Sequence, residues 1–156
     1  MAKLHTLAAT IRRFPALLHI PYRAYRLIQP RYTLGVVGVL FNDAGKLLLV
    51  EHVFHPKYPW GLPGGWIGRD EIPENAIARE FQEELQLSIE AKQLLLLERT
   101  QPNHLDIAFG CTTETTIGKL SFELLSYDWF SLDELPPMYG FQRRAIAAAA
   151  AVRGME

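Results

Sequence analysis

Hydrophobic and polar positions alternate along this chain with two different periods, and that alternation lays out most of its elements. Residues 3–28 read as one or two helices, broken or kinked near Pro15, with Pro21 opening the second. Tyr32 to Phe41 is rich in β-branched and apolar residues, and Asn42-Asp43-Ala44-Gly45 is a turn signal. Lys46 to Val53 is therefore expected to form the second arm of a hairpin. Prolines and aromatics make residues 56–63 a loop. A helix follows, with Pro73 in its first turn and Ile77, Phe81 and Leu85 on its apolar side. Ser88 to Arg99, Leu105 to Glu114 and Leu120 to Phe130 read as three further strands. Ser131-Leu132-Asp133-Glu134 predicts a capping-box start to a short helix ended by Pro136 and Pro137, and Phe141 to Val152 predicts an alanine-rich helix. There is no internal repeat and no disordered linker. Strands interleaved with a central and a closing helix predict an α/β or α+β sandwich.

One stretch breaks the half-apolar texture. Arg79-Glu80-Phe81-Gln82-Glu83-Glu84 places three acids and a base in a single run. On a helix, Glu80, Glu83 and Glu84 fall at i, i+3 and i+4 and share a face. Carboxylates that close repel one another, and a divalent cation reverses the sign of the interaction. Hard oxygen ligands suit Mg²⁺ or Mn²⁺.

Gly65 and Glu71 lie upstream of this run at Gly65-x5-Glu71-x7-Arg79-Glu80-Phe81-x-Glu83-Glu84-x-Gln86-Leu87. The pattern resembles the Nudix box, the signature of Mg²⁺-dependent hydrolases that cleave a nucleoside diphosphate linked to another moiety. Trp60-Gly61-Leu62-Pro63-Gly64-Gly65 resembles the usual lead-in of that family. The departure is Gln86, where the family normally carries glycine. A left-handed residue ending the helix there costs a residue with a Cβ about 1 kcal/mol. Either Gln86 accepts that strain or the helix ends differently. The resemblance covers roughly residues 32–150 and implies a mixed sheet sandwiched between helices. It also implies a metal held by the Gly65 carbonyl, Glu80, Glu83 and Glu84, with Mg²⁺ as cofactor and Mn²⁺ as its alternative. Arg79 is expected to orient a carboxylate through an ion pair, with Glu83 the neighbour in reach, and Glu71 to hold the junction between loop and helix. Members of the family differ in their general base. Here Glu84 and Glu123 are the candidates, since Glu123 sits where several relatives place a further metal-binding or catalytic glutamate; an exposed strand residue accounts for Glu123 equally well.

Composition narrows the rest. The 156 residues suit one hydrolase domain, residues 31–156, preceded by a helical extension, residues 1–30. The single cysteine, Cys111, excludes an internal disulfide, is expected to be a buried small apolar residue, and fits a reducing, cytoplasmic compartment. No apolar stretch approaches the length of a membrane span. Residues 1–42 hold six bases and no acid, whereas residues 43–156 hold 10 Lys/Arg and 17 Asp/Glu. The catalytic body is thus acidic and must recruit metal before it welcomes a phosphorylated substrate. For the extension, packing or homodimer contacts are expected first, then association with phosphates or lipid. Removal as a targeting segment is last, because the segment lacks serine and the chain opens with Met1.

Substrate identity rests on weaker signals. His52 and His55 flank Phe54, and Tyr58 and Trp60 follow; stacking on a base or contact with a phosphate accounts for His52, His55 and Trp60, and so does packing. Pro102 lies 15 residues past Leu87, a spacing that resembles ADP-ribose pyrophosphatases. Nearby His104 is by default a surface histidine, and Tyr139 with Phe141 is either a stacking pair or a helix staple. The expected protein is a pyrophosphohydrolase of small nucleotides, with ADP-ribose or a nucleotide sugar favoured. A nucleoside triphosphate pyrophosphohydrolase is the enzymatic alternative, and a nucleotide-binding module without turnover is the alternative of another class. An acidic body disfavours polymeric nucleic acid, although an RNA end remains admissible.

Overall fold

A computed structural model describes residues 2–154. Met1, Met155 and Glu156, at the outer ends of the two expected segments, lie outside the described residues. Contacts divide the chain between Arg31 and Tyr32 into two compact units. Among the described residues no helix is long and apolar enough to cross a membrane.

The first unit comprises α1 (Ala2–Arg13), a single 3-10 turn (Pro15–Leu18) and α2 (His19–Ile28). Pro15 has no amide hydrogen to continue α1, so the chain breaks there and tightens into the 3-10 turn. The second helix opens at His19, and Pro21 sits in its first turn, where a missing N–H leaves no intrahelical bond unmade.

The second unit contains β1 (Thr33–Leu40), β2 (Leu47–His52), β3 (Trp60–Gly61), β4 (Gly64–Trp66), α3 (Pro73–Leu85), β5 (Glu90–Gln101), β6 (His104–Thr112), β7 (Leu124–Phe130), a 3-10 turn (Leu132–Glu134) and α4 (Gly140–Arg153). Its strands form two sheets, in the orders β4-β1-β6-β5 and β3-β2-β7, with β1 and β6 parallel. The expected hairpin between β1 and β2 is confined to its turn. Asn42 Oδ1 accepts the Lys46 N–H at 2.9 Å, Phe41 bridges Leu47, and the two strands then part into different sheets. They part because neither strand has a polar face to leave in water. Leu47, Leu48, Leu49 and Val50 are all fully buried. Alternate side chains instead serve two cores. Val36 and Leu40 join Leu48 and Val50 against Ala76, Ile77, Phe81 and Leu85 of α3. Val39, Phe41, Leu47 and Leu49 pack against Phe141, Ala145, Ile146 and Ala149 of α4. Each fully buried side chain of this kind contributes roughly 1.5–3 kcal/mol. The result is the expected α+β sandwich, with mixed sheet between helices.

Three local expectations are corrected. Residues 56–63 are not wholly loop, because Trp60–Gly61 adds to β2 as a short strand. Ser131 starts only a 3-10 turn and makes no side-chain cap; its carbonyl takes the Glu134 N–H at 3.1 Å. Finally, β7 starts at Leu124 rather than Leu120. The residues before it are engaged elsewhere: the Gly118 and Ser121 N–H groups donate to the Leu85 and Glu84 carbonyls at the end of α3, both at 2.9 Å. Backbone donors that cap a helix do not also extend a ladder.

Candidate active site

Helix α3 owes its position to its apolar stripe, and that stripe turns the adjoining side toward a cleft of about 830 Å³. Arg79, Glu80, Glu83 and Glu84 all line this cleft, together with Gly64, Gly65 and Glu123. The run expected to share a helix face does so.

Arg79 organises the acids. Its Nε and Nη2 donate to Glu71 at 2.9 and 3.1 Å, its Nη1 donates to Glu80 at 2.9 Å and to Glu83 at 3.0 Å, and Nη2 also reaches the Trp66 carbonyl at 2.9 Å. One planar guanidinium thus ties three carboxylates to the loop that precedes the helix. Its partners extend beyond Glu83. Glu71, whose Oε2 also accepts the Gly68 N–H at 2.8 Å, fastens the loop to the helix as expected of a junction residue. The hydrogen bonds from Arg79, then that from Gly68, hold the Glu71 carboxyl below its ordinary range. Arg79 in turn is held more firmly protonated, chiefly by Glu71.

Glu84 has the opposite environment. It is buried, and its carboxylate accepts the Gly64 N–H at 3.2 Å. Burial, reinforced by the charges of Glu80, Glu123 and Glu83, pushes its carboxyl up to about 8. Burial also raises Glu80, against the opposing effect of Arg79. Gly65 lies beside it: a Cβ there would lie 2.4 Å from Glu80 Oε1 and would push the carboxylate aside. At the preceding Gly64, with φ 153°, a Cβ would run into the Val36 carbonyl of β1, so glycine alone fits there.

Gln86 takes the left-handed conformation (φ 49°, ψ 37°) and accepts the strain that glycine would avoid. Its side chain has a use there. Oε1 accepts the Lys119 N–H at 3.2 Å, adding a tie between the helix end and the segment that leads to Glu123. Glu123 lies in the turn before β7, so it is a loop residue at the rim of the cleft rather than a strand residue.

The expected substrate contacts divide. His52 and His55 both line the cleft, with ring centroids 4.3 Å apart. Burial, then the neighbouring His55, lowers His52 to about 4, and its buried Nε2 has no hydrogen-bond partner among the described residues. Trp60 does not line the cleft; its indole packs edge-on against Phe130, 5.1 Å between centroids, beside the α4 core. Phe141 is likewise buried in that core, while Tyr139 stands edge-on to Tyr58.

Sequence reasoning passed over the far wall. His104 is not a surface histidine: it is largely buried and lines the cleft. Its Nε2 meets Asp106 Oδ1 at 3.1 Å, its Nδ1 meets Thr33 Oγ1 at 2.8 Å, and Asp106 Oδ2 accepts from Thr100 Oγ1 at 2.5 Å. Gly35 makes room for this group, since a Cβ would lie 2.3 Å from Asp106 Oδ1. Polar residues two apart on a strand, His104 and Asp106, were the available signal. Gln142 of α4 closes the wall by accepting the Leu62 N–H at 3.2 Å. Cys111 is buried, and burial lifts its thiol to about 12, an inert packing residue as expected.

Whether these residues suit a metal can be judged from their donors. Carboxylate oxygens and like charge crowded around buried Glu84 favour a hard divalent cation. Among the described residues no three acidic or imidazole groups converge as a ready-made cage, and Glu80 and Glu83 are turned to Arg79. The fit is one of charge and ligand chemistry.

The NUDIX domain family model matches residues 31–149. The chain belongs to the Nudix family and is an enzyme of it, a pyrophosphohydrolase acting on phosphorus anhydrides, a class that generally needs divalent metal ions. It is 29% identical over 107 residues to a MutT-like protein of Streptomyces ambofaciens, a match covering 68% of each chain. It is 39% identical over 61 residues to an RNA pyrophosphohydrolase of Pseudomonas fluorescens, covering 39% of this chain and 37% of that relative. Its fold is similar to the crystal structure of an ADP-ribose pyrophosphatase from Streptococcus suis, with a TM-score of 0.66 and 25% identity over 80% of this chain and 92% of that one.

Proposed function

We propose that this chain is a Mg²⁺-dependent hydrolase, also active with Mn²⁺, of a nucleoside diphosphate linked to another moiety, with ADP-ribose or a nucleotide sugar as substrate. The observation that carries this reading is the buried Glu84, raised to about 8 and ringed by Glu80, Glu83 and Glu123 in one cleft. The Gly65 carbonyl and these four glutamates would hold the metal. Held there, a divalent ion would supply charge neutralisation for the pyrophosphate and a lowered pKa for a water. Glu84 or Glu123 would take the proton from the attacking water as its oxygen bonds to phosphorus and the anhydride P–O bond breaks, leaving two monophosphates. Arg79 keeps Glu80 and Glu83 in register and touches no reacting atom.

The shape of the cleft supports a substrate with two arms. A second lobe of about 620 Å³ adjoins the first and shares Val37, His55, His104, Asp106 and Gln142 with it. Arg99 and Tyr139 line that lobe, offering a cation and a ring to a phosphate-linked or aromatic group. The likeness to the Streptococcus suis ADP-ribose pyrophosphatase points the same way.

A second reading is a pyrophosphohydrolase of nucleoside triphosphates or of an RNA 5′ end, favoured by the partial match to the RNA pyrophosphohydrolase. Products separate the two. Assayed on a panel of nucleotide sugars, ADP-ribose, triphosphates and 5′-triphosphorylated RNA with Mg²⁺ or Mn²⁺, the enzyme is expected to yield two monophosphates from the first group. Release of pyrophosphate from a triphosphate, in preference, would move the assignment to the second reading.

A further inference from the structure

The family match begins at residue 31, so the hydrolase fold leaves the first unit unexplained. Residues 1–31 hold six Lys/Arg and no Asp or Glu. Their apolar and basic residues are also segregated around the helices. In α2, His19, Arg23 and Arg26 recur at i, i+4 and i+7 on one side, whereas Ala24 and Ile28 lie on the other and Leu27 falls between Arg23 and Ala24. Tyr22 and Tyr25 complete the turn between Arg26 and Ile28. In α1, Leu4, Ala8 and Ile11 form a stripe, with Arg12 and Arg13 in the last turn. Leu4 is 77% exposed, Leu27 75% and Ile28 78%, so these faces are not spent on a core of their own.

We propose that residues 1–31 dock the enzyme on an anionic lipid surface, with α2 lying in the plane of the interface. Each feature has a place there. Leucine and isoleucine enter the acyl boundary, tyrosines sit at headgroup level, and the arginines meet lipid phosphates. Among the described residues neither helix is long and apolar enough to span. RNA would use the positive charge but has no use for an exposed Leu-Ile face. A second copy of this unit would use the apolar face but would set six cations against six.

The test is flotation of the full chain with vesicles of equal parts phosphatidylcholine and phosphatidylglycerol, beside vesicles of phosphatidylcholine alone. The chain is expected to float with the anionic vesicles and to do so less as salt rises. Substituting Arg23→Gln with Arg26→Gln should lower the partition coefficient roughly 25-fold, about fivefold per arginine. Leu27→Ser with Ile28→Ser should also lower it. Unchanged hydrolysis of a soluble nucleotide by both variants would show that the catalytic unit is intact. Equal flotation with both vesicle types, absence of flotation with the anionic vesicles, or variants that float like the parent would overturn the proposal. So would retention of RNA, or self-association through this unit, in place of vesicle binding.

Discussion

Gln86 shows how much one residue can conceal. The sequence leaves open whether it accepts a left-handed backbone, and it does, at φ 49°. What spacing could not reveal is that its side chain joins the segment leading to Glu123. The backbone strain and the hydrogen bond are each worth about 1 kcal/mol. Gln86→Gly should therefore leave stability nearly unchanged, relieving strain as it loses the bond, while Gln86→Ala keeps the strain and loses the bond. Denaturant unfolding is expected to place the alanine variant about 1 kcal/mol below the glycine variant. His52 makes a second prediction at this scale. Its folded pKa is lowered from 6.5 to about 4, so the unfolded chain takes up that proton first. Stability is lost as pH falls through this window and levels off below it, by up to about 3 kcal/mol. Unfolding measured across that range should show a shallower loss in His52→Gln than in the parent.

At the scale of elements, the site is a helix face and a loop held at fixed separation. Arg79 bonds across that gap, and Gly65 sets how narrow it is. Gly65→Ala is expected to displace Glu80 and to lower turnover on the order of 100-fold, since misplacement by about an ångström has that cost. Its unfolding midpoint should move far less, because the α3 core is untouched. These same elements mark what a sequence discloses. Helix α3 was legible because an apolar period and an acidic period run side by side along one helix. The parting of β1 from β2 was not, because a continuous apolar run such as Leu47–Val50 does not say which strand covers it. The far wall was hidden for a related reason: His104, Asp106 and Gln142 come from β6 and α4, and only the parallel pairing of β1 with β6 sets Asp106 opposite Gly35.

For the molecule as a whole, charge and fold work together. Residues 43–156 carry seven more acids than bases, and four glutamates of this body gather at one cleft. An acidic cleft repels a pyrophosphate until a cation enters it, so a metal held there would serve substrate binding as much as catalysis. The basic segment before Tyr32 is a compact unit of its own. The central claim is that the glutamates of α3 and of the turn before β7 form the hydrolytic centre. Its most direct test is Mg²⁺-dependent turnover of Glu84→Gln and Glu123→Gln, measured on the substrate that the product assay selects. A fall on the order of 10²–10⁴ in kcat is expected for whichever residue takes the water's proton. Near-parental rates in both variants would contradict the account.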